Sequence, residues 1–294
     1  MERRSIVLLI DGVTAVSFSA VLVREADAPS LAIAFYRCAM ASVVLLPLGL
    51  ARHREEYGRL SKRQWQLALA SGVVLSAHFA TWISSLSFTT VAASAVLVQT
   101  LPLWVAAFGR FVGERPARRA LFGMAIALAG TLVIAGGGFD GGSRALFGDL
   151  LALAGAVCAA IYVLLGRSLR QQLSLVTYSS IVYATSAVAL AAVMVASGTA
   201  FVGYPAKTWL VFGLITAGPQ FLGHTTFNYL LGHMRASVVA VALLAEPVGA
   251  TILAWTILGE APGPATLVGG AIVLAGVYLA IAAETRAADV VAVE

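Results

Sequence analysis

The chain has 294 residues, 60% of them hydrophobic and only 11% charged, with a mean hydropathy of +0.91. No soluble domain of that size has interior enough to hide so much apolar surface, which excludes a water-soluble enzyme or scaffold and makes lipid the solvent. The net charge of +5 does not point to nucleic acid, because the basic residues are scattered over short segments where they orient the chain and meet anionic headgroups.

A helix crossing the hydrocarbon core needs about 20 mostly apolar residues. In chain order the sequence offers ten such stretches: Ile6 to Val23, Leu31 to Leu50, Gln66 to Ser87, Val91 to Val112, Ala120 to Gly138, Leu146 to Leu165, Leu175 to Ser197, Thr208 to Leu231, Ala236 to Leu258 and Ala265 to Ala283. The first follows Glu2-Arg3-Arg4 in the manner of a signal peptide, yet no small-residue cleavage site leads into a soluble domain, so a retained helix is expected. Cys38 and Cys158 fall inside spans and are expected as buried thiols.

Charge tests the count independently. With ten spans, the two ends of the chain and every second loop share one side, and those segments hold 15 of the 19 basic residues. The opposite side has Arg24, Arg144 and Lys207, and Arg37 is left within the second span. The positive-inside rule then puts both termini in the cytoplasm, with the chain in the inner membrane. Nine or eleven spans would scramble the asymmetry.

The chain also repeats itself. Leu101-Pro102-Leu103, Gly113-Glu114-Arg115-Pro116, Gly123 and Ala129-Gly130 return as Glu246-Pro247-Val248, Gly259-Glu260-Ala261-Pro262, Gly269 and Ala275-Gly276. The division expected is residues 1–140 and 141–294, five spans each. An odd number of spans per copy inserts the second copy upside down relative to the first, and exchanging conformations between two such copies turns a cavity open on one side into one open on the other. Duplication is also an economical way to build a bundle with no such role. Among the repeated positions, Gly123, Ala127, Gly130, Gly269, Val273 and Gly276 have the small-residue spacing of close helix contacts.

The recurring pattern of proline, then Gly-Glu, then a glycine-containing span ending in Ala-Gly, present in both halves, resembles the EamA family of the drug/metabolite transporter superfamily over essentially the full length, and within it the YddG-type exporters of aromatic and other amino acids. The resemblance implies an all-α membrane protein of ten helices, two inverted five-helix repeats around a central cavity, and transport of small metabolites, often outward.

Residues lining such a cavity follow from cost, since a polar side chain facing lipid is expensive and should point inward. His78 and Trp82 are four apart on one face of the third span, with Ser85 on the same stripe, and offer a hydrogen-bonding group beside an aromatic plate that suits an amino-acid solute. His224 and Asn228 repeat that spacing in the second half. Gln99 and Tyr162 are further lining candidates; these two and Asn228 serve equally as interhelical glue. Glu246 is the strongest ionisable candidate. Pro102, Pro219 and Pro247 are expected to bend their spans by freeing the carbonyls of Val98, Ile215 and Leu243. Asp11 and Arg37 complete the expected buried charges, with Arg37 pairing either Asp11 or Glu246.

Other chemistries find little support. Gly136, Gly138 and Gly141 satisfy a G-x-G-x-x-G spacing without the surrounding βαβ unit, and no Walker A, H-E-x-x-H or G-x-S-x-G sequence occurs. No cofactor, metal, catalytic residue or obligatory protein partner is expected, only a small-molecule substrate and the bilayer. A carrier is favoured over a passive channel or an intramembrane enzyme.

Overall fold

The computed structural model describes residues 3–89, 91–113, 116–135, 142–258 and 261–291. The repeated Glu114, Arg115, Gly259 and Glu260, and the glycines at 136, 138 and 141, lie outside the described residues. Among those described there is helix and no strand. The first half contains α1 (Arg3–Glu25), α2 (Ser30–Arg52), the short α3 (Arg54–Arg59), α4 (Lys62–Ser85), α5 (Val91–Val98), α6 (Leu101–Gly109) with a 3-10 turn to Val112, and α7 (Arg118–Ala135). The second contains α8 (Ser143–Arg170), α9 (Leu175–Ser197), α10 (Ala206–Ile215), a π-helix (Thr216–Thr225), α11 (Thr226–Leu231), α12 (Ala236–Leu243), α13 (Glu246–Leu258) and α14 (Pro264–Val291).

Among the described residues, seven helical stretches are long and apolar enough to cross a membrane. They coincide with the first three, sixth, seventh, ninth and tenth expected spans. The fourth and eighth are helical in pieces, and the fifth is α7, whose expected end passes beyond the described residues. The surface is apolar where a soluble protein would be polar: Val43 is 74% exposed and Phe122 67%. Apolar side chains exposed in such number suit contact with lipid acyl chains or another apolar partner.

Local signals set several helix ends. Ser61 and Gln64 form a reciprocal capping box at the start of α4, and Ser174 caps α9 through the Thr177 amide. Gly198, at φ +67°, ends α9 in the left-handed region.

Close backbone packing joins α7 to α14. A Cβ at Gly276 would lie 2.4 Å from the Ala127 amide nitrogen, and one at Gly123 would lie 2.5 Å from that of Ala280. Gly130 and Gly269 are equally tight, each Cβ falling 2.7 Å from the other's carbonyl oxygen. The glycines therefore meet crosswise. Gly123 touches Gly276, the repeat of Gly130, and Gly130 touches Gly269, the repeat of Gly123. An antiparallel contact in which one site meets the other's counterpart is the pattern a two-fold axis produces. The remaining packing follows the same exchange: α4 lies on α8, and α1 lies on the π-helix and α10.

Polar contacts gather at two ends of the bundle. At one, Glu56 accepts from the Ser174 amide and from the hydroxyls of Ser174 and Thr177, all at 2.6 Å. At that end too, Gln64 donates to Gln172, and the buried Glu284 accepts from the Ala117 amide and from Arg235. At the other, Lys207 pairs with Glu25 at 2.6 Å, Arg144 donates to the Ser87 carbonyl and Thr89 donates to Asp149. Every one of these joins segments that charge asymmetry assigns to the same side. Burial alone would raise the Glu56 carboxyl, but the hydrogen bonds from Ser174 and Thr177 outweigh it and hold the group below the usual carboxylate range.

Two outcomes are expected in detergent. Gly276→Val should lower unfolding stability by about 1–3 kcal/mol or more, since rigid backbone must give way, whereas Gly213→Ala, with nothing within 4 Å, should leave the thermal midpoint near wild type. Glu56→Gln should lower the midpoint at neutral pH. A depressed native pKa contributes stability at higher pH that is lost as pH falls through it, so the gap between variant and wild type should close in acid; a constant gap down to pH 3 would contradict this.

Candidate functional site

Two helix interruptions set the site. Between α5 and α6 lie Gln99 and Thr100, and between α12 and α13 lie Leu244 and Ala245. Pro102 and Pro247 each take the second position of the new helix, where a missing N–H has no intrahelical bond to lose. The expected bend at these prolines is thus a break and restart. Its consequence is electrostatic: Glu246 is the first residue of α13, where the helix dipole favours a carboxylate.

The third proline also behaves otherwise than expected. Pro219 lies inside the π-helix, not at a simple kink. In the i→i+5 pattern of a π-helix beginning after Ile215, the amide of Gln220 serves the Ile215 carbonyl that an α-helical proline would have freed. The Thr225 hydroxyl in turn donates to the Gln220 carbonyl at 3.0 Å.

All seven expected lining residues meet at one central cavity: His78 and Trp82 from α4, Gln99 from the α5–α6 break, Tyr162 from α8, His224 from the π-helix, Asn228 from α11 and Glu246 from α13. Its volume is about 70 Å³, space for a few waters. Valines, leucines and Phe227 complete the wall, so the polar groups are few and placed.

Each polar group has a definite partner or plate. His78 Nδ1 lies 2.9 Å from the Gly155 carbonyl, which can only accept, so that nitrogen carries a proton and a neutral ring offers Nε2 as acceptor. The approach depends on Gly155, whose Cβ would sit 3.2 Å from that of Trp82. The His78 and Trp82 rings are parallel within 3°, with centroids 6.0 Å apart. Gln99 donates to Glu246 Oε2 at 3.2 Å, joining the two broken helices. Tyr162 donates to Asn228 Oδ1 at 2.7 Å, and Asn228 donates to Ser179 and Tyr183 at 3.4 and 3.3 Å. Tyr162 and Asn228 therefore both line the cavity and tie α8, α9 and α11 together.

The charge inventory is corrected. Asp11 is exposed on the outer face of α1 and is not a buried charge. Arg37 forms neither expected pair: its Nε donates to Gln220 Oε1 at 2.8 Å, and its guanidinium carbon sits 3.9 Å over the Phe79 ring. Cys38 is buried and Cys158 only half-buried. Gln220 and Ser19 escaped the sequence reading. Gln220 is a fully buried amide four residues before His224, a spacing that carries the signal; Ser19 lines the cavity in an otherwise apolar stretch of α1.

The sequence profile of the EamA-like transporter family matches residues 3–136 and again residues 146–282. The chain belongs to the EamA-like transporter family. Among its relatives, an uncharacterized transporter of Archaeoglobus fulgidus is 28% identical over 261 residues, covering 85% of this chain and 87% of its own. A probable terminal-alkyne amino-acid exporter of Streptantibioticus cattleyicolor is 29% identical over 178 residues, 58% of this chain and 56% of that protein. A crystal structure with 21% identity superposes over 97% of this chain and 99% of its own at a TM-score of 0.81, which shows a common fold. As an EamA-family protein with several long apolar helices, the chain is a multi-pass membrane transporter.

Tyr162→Phe leaves the Asn228 carbonyl oxygen without its donor and should cost about 1–3 kcal/mol of unfolding stability. Thermal unfolding in detergent checks this, and a wild-type midpoint would show that the network does not depend on the phenol.

Proposed function

We propose that this EamA-family protein is a secondary transporter that moves small metabolites, amino acids including aromatic ones, across the inner membrane by alternating access. In this reading residues 1–140 and 141–294 are two inverted five-span repeats, the chain crosses the bilayer ten times, and both termini face the cytoplasm. The observation that carries it is the central cavity, to which both halves of the sequence contribute polar side chains at an interruption of their helices. A seam lined by matched elements opens to one side or the other as the halves rock.

Three further observations support it. The crosswise glycine contact of α7 and α14 has the reciprocity that inverted repeats require. The polar contacts at the two ends join the segments that ten crossings bring to a common side. The positive charge is concentrated on one set of alternate loops.

The solute class rests on chemistry and on a relative. An acceptor nitrogen on His78 and the Glu246 carboxylate suit the ammonium end of an amino acid, and the Trp82 plate suits its side chain; one relative is described as an amino-acid exporter. At about 70 Å³ the cavity must widen to admit such a solute.

The purified protein in liposomes should take up a labelled amino acid saturably, and preloading the lumen with the same amino acid should accelerate entry. His78→Ala, Trp82→Ala and Glu246→Gln should each reduce that counterflow about tenfold or more, the loss of one charge-assisted or stacking contact. Uptake linear in concentration without counterflow would identify a channel, and unchanged transport in all three variants would reject the assignment of these residues.

A further inference from the structure

Among the described residues Arg37 is the largest fully buried side chain, 1% exposed on α2. A cation so placed normally has a carboxylate partner, because an uncompensated charge in a low-dielectric interior is costly. Among the described residues its Nη1 and Nη2 have no hydrogen-bond partner. Gln220, which accepts from Arg37 Nε at 2.8 Å, leaves its own Nε2 equally unpartnered. Three buried nitrogen donors thus stand together without a well-formed hydrogen bond among the described residues, although the Tyr183 hydroxyl lies near the Gln220 amide. The Phe79 ring under the guanidinium offsets part of the charge, but a ring face accepts no directed bond from the Nη groups.

The cluster lies directly behind the central cavity. Phe79, fully buried, touches Arg37 on one side and the cavity residues His78 and His224 on the other, at ring separations of 5.0 and 5.1 Å. Gln220 and His224 are four residues apart on the same π-helix, one reaching Arg37 and the other lining the cavity. The π-helix that carries both groups is a form found mostly as short bulges at functional sites.

We propose that Arg37 and Gln220 form an anion subsite that takes the carboxylate of the transported solute once Phe79 turns aside. The planar guanidinium presents two parallel N–H groups matched to the two oxygens of a carboxylate, and the Gln220 amide adds a third donor. The assignment rests on the transport reading above for the identity of the solute, and on the orphaned donors for the chemistry. It explains why the charge is retained: in the absence of solute it destabilises the fold, and in its presence it is satisfied.

The test is binding in detergent, read as a ligand-induced shift of the thermal midpoint. L-Leucine, L-phenylalanine and the remaining natural amino acids are compared with L-leucinamide, L-phenylalaninamide and phenylacetate. Wild type should respond to free carboxylates at a concentration about tenfold or more below that needed for the carboxamides, the contribution of a charge-assisted pair, and Arg37→Gln should abolish that preference. Arg37→Lys, which keeps the charge and loses the fork, should fall between. Because the acid-to-amide comparison on wild type needs no variant, a misfolded substitution does not shield the proposal. Equal response to acids and amides, no response to any carboxylate, or a preference that survives Arg37→Gln would each overturn it. Binding without liposome transport would sink the carrier reading and leave the subsite standing; transport indifferent to Arg37 would do the reverse.

Discussion

A polar group in hydrocarbon must find its partner inside the protein, and the rest of this structure follows from that constraint. The outward faces carry valine, leucine and phenylalanine, and His78, Gln99, Tyr162, His224, Asn228 and Glu246 turn to a cavity between elements from the two halves. There they satisfy one another: Tyr162 with Asn228, Gln99 with Glu246, His78 with the Gly155 carbonyl. The cavity is what remains at the seam where apolar side chains do not close the space. Function and stability thus draw on the same few groups.

The glycine contact of α7 with α14 supplies the complementary element. Apart from the polar groups at the seam, α7 and α14 pack backbone to backbone at Gly123, Gly130, Gly269 and Gly276. In lipid no hydrophobic force drives helices together, so close van der Waals approach must, and small residues permit it. The contact uses matched positions of the repeat crosswise. In the transport reading proposed above, a rocking of one half on the other is mirrored with the roles exchanged.

Much of the site was legible in the sequence, for a reason peculiar to membranes. Lipid makes polarity inside a span costly enough that His78, Gln99, Tyr162, His224, Asn228 and Glu246 stand out without any alignment, and the structure brings them to one cavity. The failures have equally physical causes. Asp11 was placed inside because a span was treated as wholly buried, but it lies on the exposed face of α1, more than two turns from the helix start. Pro102 and Pro247 signalled disruption, yet proline is compatible with both a kink and the first turn of a new helix, and only the neighbouring geometry separates them. The π-helix has no sequence signature beyond Pro219 lying between Gly218 and Gly223. Gln220 was overlooked because its role depends on Arg37, 183 residues away.

The central claim is that the two halves cross the bilayer in opposite senses, and loops at matching places in the repeat test it most directly. In a background lacking Cys38 and Cys158, single cysteines replace Arg54, after the second span, and Ala200, after the seventh. With an impermeant maleimide on intact cells, the account predicts that Ala200→Cys is labelled from outside and Arg54→Cys only after permeabilisation. Labelling of both from the same side would contradict it.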